Sequence, residues 1–245
     1  MGELTVAIIG CGDAFGSGGQ LHTCFYIKAP HSSLLLDCGA TAYYGIKKQG
    51  INMDDIDTIV ISHFHGDHYG GVPFLLLEEA VRRREKPLTI ISPPTGKDRI
   101  TKLLEQLYPG SDVLGRLNLL FKTYMPDGVL QADHLEITAL PVVHAPDTLP
   151  HGLRIGIGGK VISFSGDTEW TPILIALARD ADLFICECNY YHSEVKGHMN
   201  YQTLLAYDDQ LTYKQVLLTH FGDEMIQNRG RIHHPYAQDE LRVAL

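Results

Sequence analysis

The sequence predicts an α/β protein in which two β-sheets pack face to face with helices outside. Three observations point there. Short apolar, β-branched runs recur in both halves of the chain, helical stretches lie between and after them, and 245 residues with 44% hydrophobic and 20% charged content can bury a substantial core. Composition also permits a doubly wound sheet, so the motifs have to choose.

Strand-like runs open the chain at Leu4 to Ile9, Thr23 to Lys28 and Ser33 to Asp37. Between the first two, the glycines from Gly10 to Gly19 mark a loop of unusual backbone angles. Ala40 to Gln49 reads as a short helix stopped by Gly50. Asp57 to Ser62 is a buried-type strand that runs into a histidine cluster. Pro73 suits the first turn of a helix over Phe74 to Lys86, and Arg82-Arg83-Arg84 reads as its solvated C-terminal end. A strand at Leu88 to Ile91 and a helix at Thr95 to Leu107 follow. The second half predicts strands at Leu135 to Leu140, Leu153 to Ile157, Val161 to Ser165, Leu183 to Cys186 and Gln215 to Thr219. It predicts helices at Thr171 to Arg179, Asn200 to Gln210 and Pro235 to Val243. Gly115 to Gly128 is the least patterned stretch, and no repeat, low-complexity tract or linker interrupts residues 1–245, which read as a single domain.

A net charge of -9 disfavours a polyanionic partner unless a local positive site, such as bound cations, receives it. Cys11, Cys24, Cys38, Cys186 and Cys188 are odd in number and form no C-x-x-C pair, which predicts buried, reduced thiols and a cytoplasmic setting. The N-terminus lacks the basic and apolar pattern of a signal peptide, and no run approaches the ~20 apolar residues of a membrane span.

The chemistry concentrates in His63-Phe64-His65-Gly66-Asp67-His68. Strand side chains alternate, so His63 and His65 can point to one side, and a turn at Gly66 can bring Asp67 and His68 to a second point. That is half of a site for two metal ions, and imidazole with carboxylate suits zinc or another first-row ion better than magnesium or calcium. His144, Asp167 and His220 each follow an apolar run and complete the count. His63, His65 and His144 would hold one ion, Asp67, His68 and His220 the other, with Asp167 bridging. Singly, a strand-end histidine or a turn aspartate is more often hydrogen-bonded or solvated than ligating. Four chelating residues within six positions are hard to read that way.

His-x-His-x-Asp-His, the downstream His144, Ser165-Gly-Asp-Thr168 and Thr219-His220 together resemble the metallo-β-lactamase superfamily. The resemblance runs from Ile9-Gly-Cys-Gly through Leu34-Leu-Leu-Asp-Cys-Gly39 to His220 and covers nearly the whole chain. It implies a four-layer αββα sandwich of two mixed sheets and a metallo-hydrolase with two divalent metal ions, Zn2+ first, with Mn2+ or iron as alternatives. Such a pair makes hydroxide available at neutral pH between the ions. Gly197-His198-Met199-Asn200 resembles the Gly-His-Ser/Thr segment of the ribonuclease Z-like phosphodiesterase branch, where that histidine faces the scissile phosphate; Met199 and Asn200 depart from its small hydroxyl residues. Asp67 and His198 are therefore expected to act in the chemistry, His198 as a proton donor or phosphoryl contact.

The chain carries no inserted basic arm of the kind that grips transfer RNA. A small phosphodiester, such as a cyclic nucleotide or sugar cyclic phosphate, is the expected substrate, and extended nucleic acid is not. The resemblance also implies a homodimer. The alternatives are an acyl hydrolase of the same fold (thioesterase, lactonase or lactamase type), a metal protein used for binding, a redox site at iron, and a dinucleotide-binding domain suggested by Gly10-x-Gly12 and Asp37. His22, His151, His192, His233 and His234 receive no role, and Cys186 and Cys188 are expected to pack rather than ligate.

Overall fold

The computed structural model describes residues 4–245. Its strands are β1 (Thr5–Gly10), β2 (Cys24–Ala29), β3 (Ser32–Leu36), β4 (Thr58–Val60), β5 (Leu88–Ser92), β6 (Leu119–Thr123), β7 (Val129–Ala132), β8 (Leu135–Pro141), β9 (His151–Ile157), β10 (Lys160–Phe164), β11 (Leu183–Glu187), β12 (Val216–Thr219) and β13 (Arg242–Ala244). The helices are α1 (Ala42–Lys48), α2 (Gly66–Tyr69), α3 (Val72–Val81), α4 (Gly96–Leu107), α5 (Ile173–Ala178), α6 (Tyr201–Tyr207) and α7 (Asp223–Gln227).

Seven strands form one sheet in the order β13-β1-β2-β3-β4-β5-β6, and six form the other in the order β12-β11-β10-β9-β8-β7. Both are mixed. β3 to β6 run parallel in the first sheet and β10 to β12 in the second, with antiparallel pairs elsewhere. The sheets face each other across a core that includes Val6, Ile8, Phe25, Ile27, Ile137, Ile155 and Phe164. On the outer face of the first sheet, Ala7, Ile9, Tyr26 and Leu35 meet α1, α3 and α4 through Ile46, Leu76 and Ile100. On the outer face of the second, Phe184, Cys186 and Leu218 meet α5, α6 and α7 through Leu177, Leu204 and Met225. Strands covered on both faces explain runs that are apolar without alternation. The fold is the αββα sandwich of two mixed sheets.

Several expected elements differ. Residues 235–243 are not helical. Pro235 and Ala237 instead cap the open edge of β12, with Leu218 N–H donating to Pro235 O at 2.9 Å and Ala237 N–H to Leu218 O at 2.7 Å, and β13 then covers the edge of β1. The unpatterned 115–128 stretch holds β6, an edge strand whose residues are only partly buried and so leave little periodic signal. The edge strand β7 was likewise not predicted, for the same reason. Gly10-x-Gly12 leads to a 3-10 turn at Ser17–Gly19, so the helix that a dinucleotide fingerprint requires is missing.

The helix expected to reach Lys86 ends at Val81, and Arg84 is not a solvated helix end. It is 7% exposed, pairs with the buried Glu79 at 2.8 Å and donates to the carbonyls of Met53 at 2.8 Å and Ile56 at 2.6 Å. Removing one partner of such a pair leaves a buried charge uncompensated. Arg84→Ala is expected to cost about 3–5 kcal/mol of stability in urea denaturation. Arg83→Ala, on an exposed side chain, is expected to cost less than about 0.5 kcal/mol.

Candidate metal centre

The parallel strands of each sheet end on the same side, and the site is built from the segments that leave those ends, as in other open α/β sheets. After β3, Asp37 adopts the left-handed region at φ 57. One carboxylate oxygen accepts Ser62 N–H at 2.7 Å, and the other accepts Ser62 Oγ–H at 2.7 Å and pairs with His68 Nδ1 at 2.7 Å. Asp37 thereby fixes the chain leaving β4 and aims His68 Nε2 inward. His65 is the extended residue that precedes α2, and the single turn of α2 carries Asp67 and His68.

From the second sheet come His144 after β8, Asp167 after β10 and His220 after β12. Gly166, at φ 61, turns the chain so that Asp167 faces inward, and a side chain there would meet His151 O at 2.7 Å. His220 stands in the left-handed region at φ 62 and donates its N–H to Cys11 O at 2.9 Å, which ties it to the glycine-rich loop.

All seven expected ligand residues converge in two groups that share Asp167. His63, His65, His144 and Asp167 offer ligand atoms within 4.8 Å of one another, and so do Asp67, His68, Asp167 and His220. Asp167 Oδ2 lies 3.7 Å from His63 Nε2, 3.9 Å from His144 Nε2 and 3.4 Å from His220 Nε2, and Asp167 Oδ1 lies 3.2 Å from His68 Nε2. Asp67 Oδ2 is 3.2 Å from His220 Nε2 and 3.4 Å from His68 Nε2. Donors bound at about 2.0–2.2 Å around a tetrahedral ion stand about 3.3–3.6 Å apart, so these separations suit the edges of coordination shells.

His63 Nε2, His68 Nε2 and Asp167 Oδ1 are buried with no hydrogen-bond partner, a costly arrangement that a cation would relieve. Burial holds His63 well below the usual imidazole range and also lowers His65 and His144, which favours lone-pair donors. Burial opposes charge on His68 and His220 too. There the carboxylates of Asp167 and Asp67 prevail, raising His68 and pushing His220 up to about 9. Burial likewise opposes the Asp67 carboxylate, but His68 and His220 outweigh it and hold that group ionised. The donor set therefore fits divalent cations.

His198 stands beside this centre. Its ring lies 4.8 Å from that of His144 and stacks on that of His220 at 5.8 Å. Its Nδ1 is held by Glu187 Oε1, while Glu187 Oε2 accepts Thr168 N–H at 2.7 Å and Met199 N–H at 3.3 Å. Gly197, at φ 83, turns its carbonyl onto His144 Nδ1 at 2.7 Å. Asn189 pairs with His220 Nδ1 at 3.0 Å. Asp37, Glu187 and Asn189 were missed as site residues. Asp37 and Glu187 carried the signal used for the ligands, an acid closing an apolar strand; Asn189 carried none.

Asp167, Glu187, His198 and His220 form a third group of donors within 4.8 Å of one another, and the remaining histidines lie outside all three groups that share Asp167. His151 is buried and bonds Leu149 O at 2.8 Å, His192 pairs with Glu224 at 2.8 Å, and His234 links Tyr201 to Asp208. His22 is half-buried beside Gly12, and His233 donates its backbone N–H to Tyr201 Oη at 2.9 Å. Cys186 and Cys188 are free and buried in the outer core. Groups that orient metal-binding histidines typically change affinity about 10–100-fold when removed. Asp37 holds His68 directly and His63 through Ser62 Oγ, which lies 3.1 Å from His63 Nδ1, so Asp37→Ala is expected to weaken divalent-cation affinity by that factor in a chelator competition titration.

Known proteins place this geometry in a family. The model of the family described as Anti-Pycsar protein Apyc1 matches residues 4–236. Ribonuclease Z of Clostridium kluyveri is 26% identical over 281 aligned positions, covering 94% of this chain and 91% of the relative. The probable metallo-hydrolase YhfI of Bacillus subtilis is 26% identical, covering 89% and 86%. Anti-Pycsar protein Apyc1 of a Paenibacillus species is 26% identical, covering 93% of both chains. Among solved structures, the metallo-β-lactamase fold protein YhfI of Bacillus subtilis superposes with a TM-score of 0.81 at 21% identity over 100% of both chains. The short form of human tRNase Z gives 0.77 at 20% identity over 98% of both. The chain belongs to the Anti-Pycsar protein Apyc1 family, within the ribonuclease Z-like branch of the metallo-β-lactamase superfamily.

Proposed function

We propose that this chain, a metal-dependent hydrolase of phosphodiesterase type, cleaves a small phosphodiester at two divalent cations shared through Asp167. The observation that carries this reading is the pair of donor groups with Asp167 in common, three of whose buried atoms lack a protein partner. His63, His65 and His144 would hold one ion, and Asp67, His68 and His220 the other. The nitrogen and oxygen donors suit zinc, with manganese or iron as alternatives. When bound, such a pair lowers the pKa of a shared water and offsets charge on phosphoryl oxygens.

The protein's own groups then divide the work. Asp67, ionised beside His220, accepts a hydrogen bond from the attacking water and orients it. Glu187 holds Nδ1 of His198, which leaves Nε2 to give a proton to the departing ester oxygen as the P–O bond breaks. A phosphomonoester and an alcohol result. Ligands drawn from both sheets support one metallo-hydrolase unit over residues 1–245. The net charge of -9 and the lack of a Lys/Arg-rich insertion among the described residues favour a small substrate over extended nucleic acid, although relatives bear the name ribonuclease Z. Buried free thiols support a cytoplasmic setting, and the homodimer is carried over from the resemblance. Among the described residues, no helix is long and apolar enough to cross a membrane.

Metal analysis joined to a substrate panel tests the reading. Two ions per chain and preference for bis-p-nitrophenyl phosphate and cyclic nucleotides over thioesters and lactones are expected; preference for acyl substrates refutes the phosphodiesterase. His198→Ala is expected to lower kcat about 10²–10⁴-fold on an alkyl phosphodiester but far less on a p-nitrophenyl ester, whose leaving group needs no proton. Equal losses would make His198 a phosphoryl contact instead. Burial opposes protonation of His198, but its bond to Glu187 prevails and raises its pKa above the ordinary range. Alkyl-ester turnover is therefore expected to fall as pH rises through that raised pKa. Glu187→Gln is expected to move this limb to lower pH in a kcat–pH profile.

A further inference from the structure

His63 and His65 leave the first sheet and His144 leaves the second, so the ion they would share depends on how the two rims are held together. His144 Nε2 stands 2.9 Å from His65 Nδ1, and the rings of His63 and His144 lie 5.3 Å apart. Soon after His144 the chain makes a 3-10 turn at Pro146–Thr148. Thr148 closes that turn on itself, since its N–H and its Oγ–H both donate to Ala145 O, at 3.0 and 2.6 Å. The turn then presents two successive carbonyls to the first sheet. Thr148 O accepts Phe64 N–H at 3.0 Å, and Asp147 O accepts Arg99 Nη2–H at 2.9 Å. Phe64 is the residue between His63 and His65.

Arg99 is half-buried in the first turn of α4. Its Nε–H donates to Thr95 Oγ1 at 3.1 Å, and its guanidinium lies 4.7 Å from the centre of the Phe64 ring, within reach of a cation–π contact. Ile100 and Leu104 anchor α4 in the outer core of the first sheet, and Gly96 brings its start close to Phe64, where a side chain would meet Phe64 Cζ at 3.4 Å. One side chain thus rests on the residue between two donors and reaches the turn behind a third. A guanidinium can do both, because its donors diverge in one plane while the face of that plane covers the ring. Lysine has the charge without the fork.

We propose that Arg99 is a positioning residue for the ion at His63, His65 and His144, holding the turn after His144 against Phe64. The role rests on the reading of these histidines as ligands of one ion. Such a constellation has to be held to within about 0.5 Å of its productive geometry. Rims free to part at this point would lose affinity there before they disturbed Asp67, His68 and His220. Arg99 acts on the donors through Phe64 and Asp147.

Zinc competition against a chromophoric chelator tests the role. Arg99→Ala is expected to weaken the ion at the three histidines about tenfold. The loss is expected again in a His220→Ala background, where that ion keeps its histidines. It is not expected in a His144→Ala background, where no histidine is left across the rim to align. Arg99→Lys is expected to fall between native and Arg99→Ala. Amide exchange reads the clamp without turnover: Phe64 N–H is expected to exchange faster in Arg99→Ala, while the amides of β4 and β5 keep native rates. Arg99→Gln carries the same expectations should the alanine variant fail to fold. Native zinc affinity in a folded variant, an equal loss in both backgrounds, or native exchange at Phe64 overturns the proposal. Should the metal-loaded protein cleave no phosphodiester, the proposed reaction fails while zinc affinity and Phe64 exchange still decide the role of Arg99.

Discussion

Asp167, almost fully buried, stands among four imidazoles contributed by segments leaving strands of both sheets, and His63 Nε2, His68 Nε2 and Asp167 Oδ1 find no hydrogen-bond partner there. Each unsatisfied buried polar atom costs about 1–3 kcal/mol, so a fold that assembles several of them needs another source of compensation. Positive charge can supply it. The carboxylates of Asp167 and Asp67 raise the proton affinity of His68 and His220, and the spacing of the donors suits a divalent cation in place of those protons.

Holding unsatisfied groups together requires a rigid frame, and the frame is visible around three of the donors. Asp37 fixes His68, the Gly197 carbonyl fixes His144, and Asn189 meets His220. Asp37 and His220 occupy left-handed backbone angles uncommon for residues with side chains. The sheets bear that strain, because the segments involved leave strands whose faces are buried on both sides. Glu169 extends the frame beyond the donors. Its Oε2 accepts Gly197 N–H while Gly197 O meets His144 Nδ1, so the segment after Asp167 and the turn that presents His198 are tied together beside His144.

The two flanks of the centre differ physically. The Asp67 flank gathers carboxylates against His68 and His220 and favours ionised acid. The His198 flank pairs a single imidazole with a buried glutamate. The proposed reaction needs an oriented water on one side and a proton donor on the other, and the two flanks are separate environments, each set by burial and by its nearest charged neighbour.

The sequence by itself determined the heart of the site, because His63, His65, Asp67 and His68 lie within six positions at the end of one strand, where local geometry forces them together. It also determined most of the strands, whose unbroken apolar runs follow from burial on both faces. His144, Asp167 and His220 were legible as donors closing apolar runs, but that they share one rim was decided by the stacking of the two sheets. Only the tertiary structure revealed Asp37 and Glu187 as the orienting acids, Arg84 as a buried partner of Glu79, and residues 235–243 as a strap along a sheet edge rather than a helix. Those outcomes depend on partners tens to hundreds of residues away, and a local pattern of hydrophobicity carries no record of which distant carbonyl, carboxylate or open edge a residue will meet.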